Sequence, residues 1–236
     1  MHTFRSLTAT LFLTLAHSLS AHQDSPKVIR IHTMLIEMEH KVYTQMMRKT
    51  VKEKDYDAAQ SLVAKGLANV TDVNAITMRS GEKSTLESNR EIIYPTEAYS
   101  KCHLPKQPPQ NTTPILTQSR RTTPTAFEIR NVGTTLEVEP TQSEKLNILD
   151  LRLSYEYVSP ESYTLWSERK DAQGTHSITM PHFPSHRVNL GATLFNGQFQ
   201  LTHTFTGKDS EGNKDPNKKI LFFVMAETIP VHQDHK

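Results

Sequence analysis

Twelve histidines are the side chains in this sequence best suited to chemistry, and His176, His182, His186 and His203 fall within one stretch. Two imidazoles four residues apart reach one metal ion when a helix sets them on the same face. His182 and His186 have that spacing, but Pro181 and Pro184 bracket it, and proline is incompatible with a helix interior. The histidines are therefore expected as scattered surface residues, and the terminal "VHQDHK" as a frayed end. Cys102-His103 carries the residue types of a nucleophile and its base. Sequence neighbours rarely meet in that geometry, and this pair sits among prolines, so a tolerated loop cysteine is the expectation. Carboxylates are numerous, and a glycosidase pair needs no fixed spacing, but nothing selects two of them. The chain contains no G-x-S-x-G, no phosphate-cradling glycine loop and no H-E-x-x-H. We expect no catalytic, cofactor-binding or metal-ligating residue, no cofactor, and no enzyme activity.

Composition narrows the remaining classes. A chain of 236 residues with a net charge of +2 is long enough for one sizeable domain and has no basic surplus, which argues against a nucleic-acid partner. Its first residues read as an export signal. His2 and Arg5 give a cationic start, "LTATLFLTL" an apolar run, and Ser18, Ser20 and Ala21 small residues for cleavage, so residues 1–21 are expected as a signal peptide. The apolar run is about half the roughly 20 residues that span a bilayer. With Cys102 alone, no internal disulfide can staple the exported domain, expected over residues 22–236. Asn69-Val70-Thr71 and Asn111-Thr112-Thr113 fit the glycosylation sequon, which matters only in a eukaryotic secretory route.

The elements follow from periodicity. Val28 to Glu39, "VIRIHTMLIEME", is apolar on both alternating faces and predicts a strand covered on both sides. His40 to Lys54 predicts a helix or helical turn, and Asp57 to Val70 a second, amphipathic helix weakened near its end by Gly66. Two hairpins are expected. One joins Ala75–Met78 to Ser84–Glu91 about "RSGEK" and stops at Pro95. The other turns at Asn196-Gly197 and sets Val188, Leu190, Ala192 and Leu194 opposite Phe205, His203, Leu201 and Phe199. Residues 98–125 carry prolines among Gln, Thr, Ser and Asn without apolar period, and are expected as a flexible insert. Leu136 and Val138 alternate with Glu137 and Glu139. Leu149, Leu151, Leu153, Tyr155 and Tyr157 alternate with Asp150, Arg152, Ser154 and Glu156, the pattern of a strand with one wet face. "ILFFVMAETI" predicts a buried closing strand. The expected fold class is α+β and strand-rich: antiparallel hairpins, one or two helices near the front, and a long Pro/Thr-rich inserted loop.

Several of these blocks, taken in order, resemble one family. "TMRSGEKSTLESNREIIYPTE" and "TPTAFEIRNVGTTLEVEP" resemble the core domain of bacterial secretins, the channel subunits of type II and type III secretion and type IV pilus systems. The likeness is to the secretin-related proteins of the Verrucomicrobia–Chlamydiae group, in reduced form. "MPHFPSHRVNLGATLFNGQFQL" and "KKILFFVMAETI" resemble the family's later strands, so the likeness runs from about Val28 to Pro230. Two departures are visible. Few residues separate the signal from the first strand, leaving no room there for the modules that precede a secretin core. His203, Thr204 and "TGKDSEGNKDPNKK" stand where the family carries a double glycine and a glycine-rich signature. The resemblance implies a non-enzymatic cell-envelope protein of the periplasm or outer membrane of a Gram-negative-type bacterium. It would be a component or accessory of a type II-like secretion or type IV pilus system, pairing with itself, a full-length secretin or a pilus assembly protein. The alternative is a soluble periplasmic structural or binding protein that keeps the fold without a pore.

Overall fold

Strands that are apolar on both faces must lie between two covering layers, and the computed structural model shows that arrangement. It describes residues 27–49, 54–100, 122–143, 147–159, 162–171, 174–209 and 211–231. Residues 1–21, Cys102-His103, Asn111 and the last five residues lie outside these ranges. The elements are β1 (Lys27–Glu39), α1 (His40–Lys49), α2 (Asp55–Ala64), β2 (Ala68–Met78), β3 (Ser84–Ser100), β4 (Thr122–Gln142), β5 (Ile148–Val158), β6 (Ser162–Asp171), β7 (Gly174–His182), β8 (Ser185–Phe195), β9 (Gln200–Lys208) and β10 (Lys214–Pro230). Sheet one has the order β2-β1-β10-β9 and sheet two the order β3-β4-β5-β8, while β6 and β7 form a separate ribbon. All pairings are antiparallel. The fold is α+β and strand-rich.

Sheet one is the middle layer. Along β1, Ile29, Ile31 and Leu35 face sheet two, while Ile36 and Met38 face the helices. β10 repeats the division, with Ile220, Phe222, Val224 and Ala226 on the inter-sheet side and Leu221 and Phe223 on the other. Each fully buried side chain of this size contributes about 1.5–3 kcal/mol over leaving it in water. The helices cover the second side. Tyr56 of α2 stacks on Phe199 at 4.2 Å between ring centroids and meets Phe223 edge-on at 5.6 Å. Sheet two is buried on one face only, through Leu136, Val138, Leu149, Leu151, Leu153, Tyr155, Val188 and Leu194.

The second helix ends earlier than its apolar period suggested. Gly66 takes a positive φ of 69°. Its N–H donates to Val63 O and that of Leu67 to Leu62 O, both at 2.9 Å. Those two bonds are a Schellman closure, which needs a left-handed residue after the last turn. Ala68 to Val70 therefore start β2 instead of finishing a helix.

Neither expected hairpin is a hairpin. β2 pairs with β1 and β3 with β4; β8 pairs with β5 and β9 with β10. The turns exist, with Gly81 at φ 78° and Gly197 at φ 71°, but each carries the chain from one sheet to the other. Gly81 N–H donates to Pro140 O at 2.7 Å in sheet two. Asn196 and Gly197 bond both sheets at once: Asn196 N–H to Asn147 O at 3.1 Å, Gly197 N–H to Ala226 O at 2.8 Å. A strand pair with one apolar face reads identically whether its members bond side by side or face each other across a core. Of the residues in the register expected for β8 and β9, Val188, Leu190, Ala192, Leu194 and Phe205 share the inter-sheet core without sharing a ladder, while Phe199 and Leu201 pack on the helix side of sheet one, past the irregularity where β10 shifts register on β9.

Pro95 does not end pairing. β3 continues through a bulge at Pro95–Glu97 to Ser100, which pairs with Thr122. β3 is an edge strand, where proline's missing donor can face the unpaired side. Residues at both ends of the expected insert, 98–100 and 122–125, are therefore paired strand, and the rest of it lies outside the described residues. The β6–β7 ribbon was not anticipated. Its bulge at Leu165–Ser167 interrupts the alternation that would have marked it.

Among the described residues, a polar cluster lies between the sheets. Asp72 Oδ2 of β2 accepts from Tyr155 OH at 2.6 Å, Thr134 Oγ1 at 2.9 Å and Asn74 Nδ2 at 2.6 Å. Burial first, then the Asp72 carboxylate, hold the Tyr155 phenol protonated well above its usual range. Removing the acceptor leaves donors unpaired, at a cost of roughly 1–3 kcal/mol each. We predict that Asp72→Ala lowers unfolding stability by about 3 kcal/mol, Tyr155→Phe by about 1–2 kcal/mol, and the double variant by less than the sum. Urea titration measures this, and strictly additive losses would refute the coupling.

Candidate assembly edges

His176, His182, His186 and His203 fall on three different strands. His182 ends β7, its Nε2 2.8 Å from Thr164 Oγ1. This is a hydroxyl–imidazole contact, and no carboxylate among the described residues orients the ring's other nitrogen. His186 lies on β8, buried, 5.3 Å from the ring of Phe205, which His203 meets from β9 at 4.6 Å. His176 sits in β7 opposite Arg169. Among the described residues no group of three or more His, Cys, Asp or Glu is arranged to hold a metal ion. Asn69 is exposed on β2 opposite Glu37.

The architecture instead offers edges. Each sheet has four antiparallel strands in alternating direction, so its two outer strands run oppositely. β3 and β8 bound sheet two, and β2 and β9 bound sheet one. A strand edge presents unpaired N–H and C=O groups to any strand that can add to it. With opposite end strands, the β3 of a second copy meets β8 antiparallel, and the addition can repeat with the same geometry. β8 and β9 lie over one another through His186 and Phe205, so both sheets open on this side together.

The outer face of sheet two is charged. Lys83 Nζ lies 2.7 Å from Glu137, and Arg152 lies 3.9 Å from Glu139. Glu156 meets Arg187 at 2.5 Å and Arg130 at 3.7 Å, and Thr193 Oγ1 donates to Asp150 at 2.6 Å. Such exposed pairs add about 0–1 kcal/mol each, but in a strand face turned to hydrocarbon an Arg or Lys costs about 2–4 kcal/mol. This face belongs in water. Open grooves of about 420 and 490 Å³ run over it beside Gly191 and Arg152.

Phe195 is exposed on the β8 edge of this face, and most of the other exposed large apolar side chains described lie elsewhere. β4 pairs with β5 only from Gly133 onward, so its first half and the second half of β3 form a two-stranded extension. A Cβ at Gly133 would overlap the carbonyl of Ser88, and its φ of 131° is closed to most residues, so glycine is required where the extension begins. Ile93 pairs with Ile129 and Pro95 with Phe127, setting these residues on one side, where Ile93, Phe127 and Ile129 are exposed. Because Gly133 pairs with Val158, the β6–β7 ribbon with its exposed Tyr163, Leu165 and Trp166 leaves the sheet at the same end. No described helix is long and apolar enough to cross a membrane.

The chain is similar to several solved secretin assemblies. A chain of the Klebsiella pneumoniae type II secretion outer membrane complex of PulD, PulS and the PulC HR domain aligns over 88% of this chain and 41% of its own length, at 12% identity and TM-score 0.40. The β-barrel secretin domain of InvG from the Salmonella SPI-1 injectisome aligns over 89% and 63%, at 11% identity and TM-score 0.41. The Vibrio cholerae type IV competence pilus secretin PilQ aligns over 86% and 59%, at 11% identity and TM-score 0.34. The chain thus spans between about two fifths and two thirds of the length of these proteins. No model of a known family matches the sequence, and no curated protein matches it.

His186 gives this edge a pH dependence. Burial, then the charge of Lys208, push its imidazole down from 6.5 to about 4. The folded value lies below the unfolded one, so the contribution is intact above about pH 6.5 and falls as pH drops towards 4. The loss is on the order of 3 kcal/mol. We predict that His186→Gln narrows the gap between urea midpoints at pH 7 and pH 4.5. A gap as wide as the parent's would show that another group is responsible.

Proposed function

We propose that this chain is a non-enzymatic cell-envelope protein, a secretin-like component or accessory of a type II-like secretion or type IV pilus system. On this reading residues 1–21 direct export and are removed. The rest works in the periplasm or outer membrane by adding strand to strand, with further copies of itself or with a full-length secretin or pilus assembly protein. The observation that carries the proposal is the pair of open, oppositely running edges on each four-stranded sheet. It occurs in a chain whose Arg79–Glu97 and Phe127–Pro140 blocks resemble the secretin core. Closed rings of strands remove their edges, whereas isolated sheets must protect them.

The charged outer face of sheet two favours a second reading for the same fold: a soluble periplasmic structural or binding protein that forms no pore. Its ion pairs suit an aqueous surface on both sides of the envelope, so any contact with lipid would fall to the apolar ends at Ile93, Phe127 and Trp166. Expression with the native leader in a Gram-negative host separates the two. The first reading predicts heat-resistant multimers in the outer-membrane fraction. Recovery only as a soluble monomer would exclude it and leave the second.

A further inference from the structure

Glycine inside a strand costs conformational entropy and usually answers to a bulge, a positive φ or a close neighbour. Gly66, Gly81, Gly133, Gly197 and Gly212 have positive φ, and a Cβ at Gly207 would overlap the side chain of Lys218. Gly191 has neither reason: its φ is ordinary and nothing lies within 4 Å of where its Cβ would be. It sits in the middle of β8, the free edge of sheet two, on the outer face opposite Arg152. Nothing within the described chain requires that position to be bare.

Arg152 lies just beyond the gap. Its side chain is 83% exposed and its carboxylate partner, Glu139, is 3.9 Å away, a long contact that leaves guanidinium donors unused. On the opposite edge of the same sheet, β3 carries Glu87 and Glu91 four residues apart, and among the described residues neither has an ion-pair partner. On β8, Arg187 and Gly191 are also four apart, on the outer face.

We propose that a second copy of this chain adds its β3 antiparallel to β8 in the register that sets Glu87 opposite Gly191 and Glu91 opposite Arg187. The bare backbone of Gly191 lets the Glu87 carboxylate pass over it to Arg152. This deepens the assembly reading and rests on it. The same register sets Asn89 opposite Asn189 and Leu86 opposite Ala192, a large residue against a small one on the inner face. A shift of two residues either way faces Arg187 with Ile93 or Asn89 and loses the match of charges. A shift of one turns the apolar face of β3 outward. Directly opposed residues on antiparallel strands have Cβ atoms about 4.5–5.5 Å apart, within reach of a disulfide.

The test uses the full chain with Cys102→Ser. In this background Glu87→Cys with Gly191→Cys should give a ladder of disulfide-linked multimers under mild oxidation, and Glu87→Cys with Thr193→Cys should not. A Cβ at position 191 would have no neighbour within 4 Å, so Gly191→Leu should leave the protomer's urea midpoint no lower than the parent's while the association constant falls by at least about tenfold. Glu87→Arg should weaken assembly several-fold, and Arg152→Glu added to it should restore it. Multimers that tolerate Gly191→Leu and do not cross-link through 87 and 191 would overturn this pairing while leaving edge assembly standing. A parent chain that stays monomeric overturns the assembly reading and the pairing together.

Discussion

Tyr155 holds the two sheets together from both ends of its side chain. Its ring packs against Phe222 of sheet one at 4.6 Å, and its hydroxyl donates to Asp72 of the same sheet at 2.6 Å. The apolar contact drives the sheets together but is indifferent to sliding. The hydrogen bond is directional and satisfied at one alignment only, so it fixes the offset between the layers. The two crossover turns, at Gly81 and at Asn196-Gly197, depend on that offset because each bonds a carbonyl in the sheet it reaches. The alignment of β8 over β9, and hence of the edges offered to a neighbour, follows from the same contact.

Much of this was legible in the chain. The both-faces-apolar pattern of Val28–Glu39 marks a strand covered on two sides and the apolar run "ILFFVMAETI" a buried strand, and these two pair in the middle layer. The alternation from Leu149 to Tyr157 identified β5 and its wet face. The pairing partners were not legible, for a physical reason. Turn chemistry at Ser80-Gly81 and Asn196-Gly197 specifies a reversal of direction and says nothing about whether the reversed strand bonds its predecessor or crosses the core. Only the competition among all strands decides that, and β1 and β10 outcompete both local partners because each can be covered on two faces. The edges themselves were invisible for the same reason, since an edge is defined by the absence of a partner. Gly191 left a signal, an unforced glycine in a strand, but it became informative only once its surroundings were seen to be empty.

The distribution of polarity divides the surface of this sandwich into two kinds. Sheet one is covered by helices and sheet two is charged outside, so neither flank of the two-sheet body suits hydrocarbon. The apolar exposure is confined largely to the two ribbons that leave the body at Gly133 and Val158. The polar body and the apolar tip are both placed by the register of β4 on β5. His182, His186 and His203 fall on three different strands of that architecture, and His186 packs between β8 and β9.

In one described copy β3 and β8 are sheet edges, and the proposed assembly pairs them between copies. Amide hydrogen exchange resolved along β3 and β8, in multimers and in monomer refolded from denaturant, reads that pairing. Pairing between copies gives slow exchange at the outward-facing N–H groups of both strands in the multimers and fast exchange in the monomer. Fast exchange at those amides in both samples would contradict it.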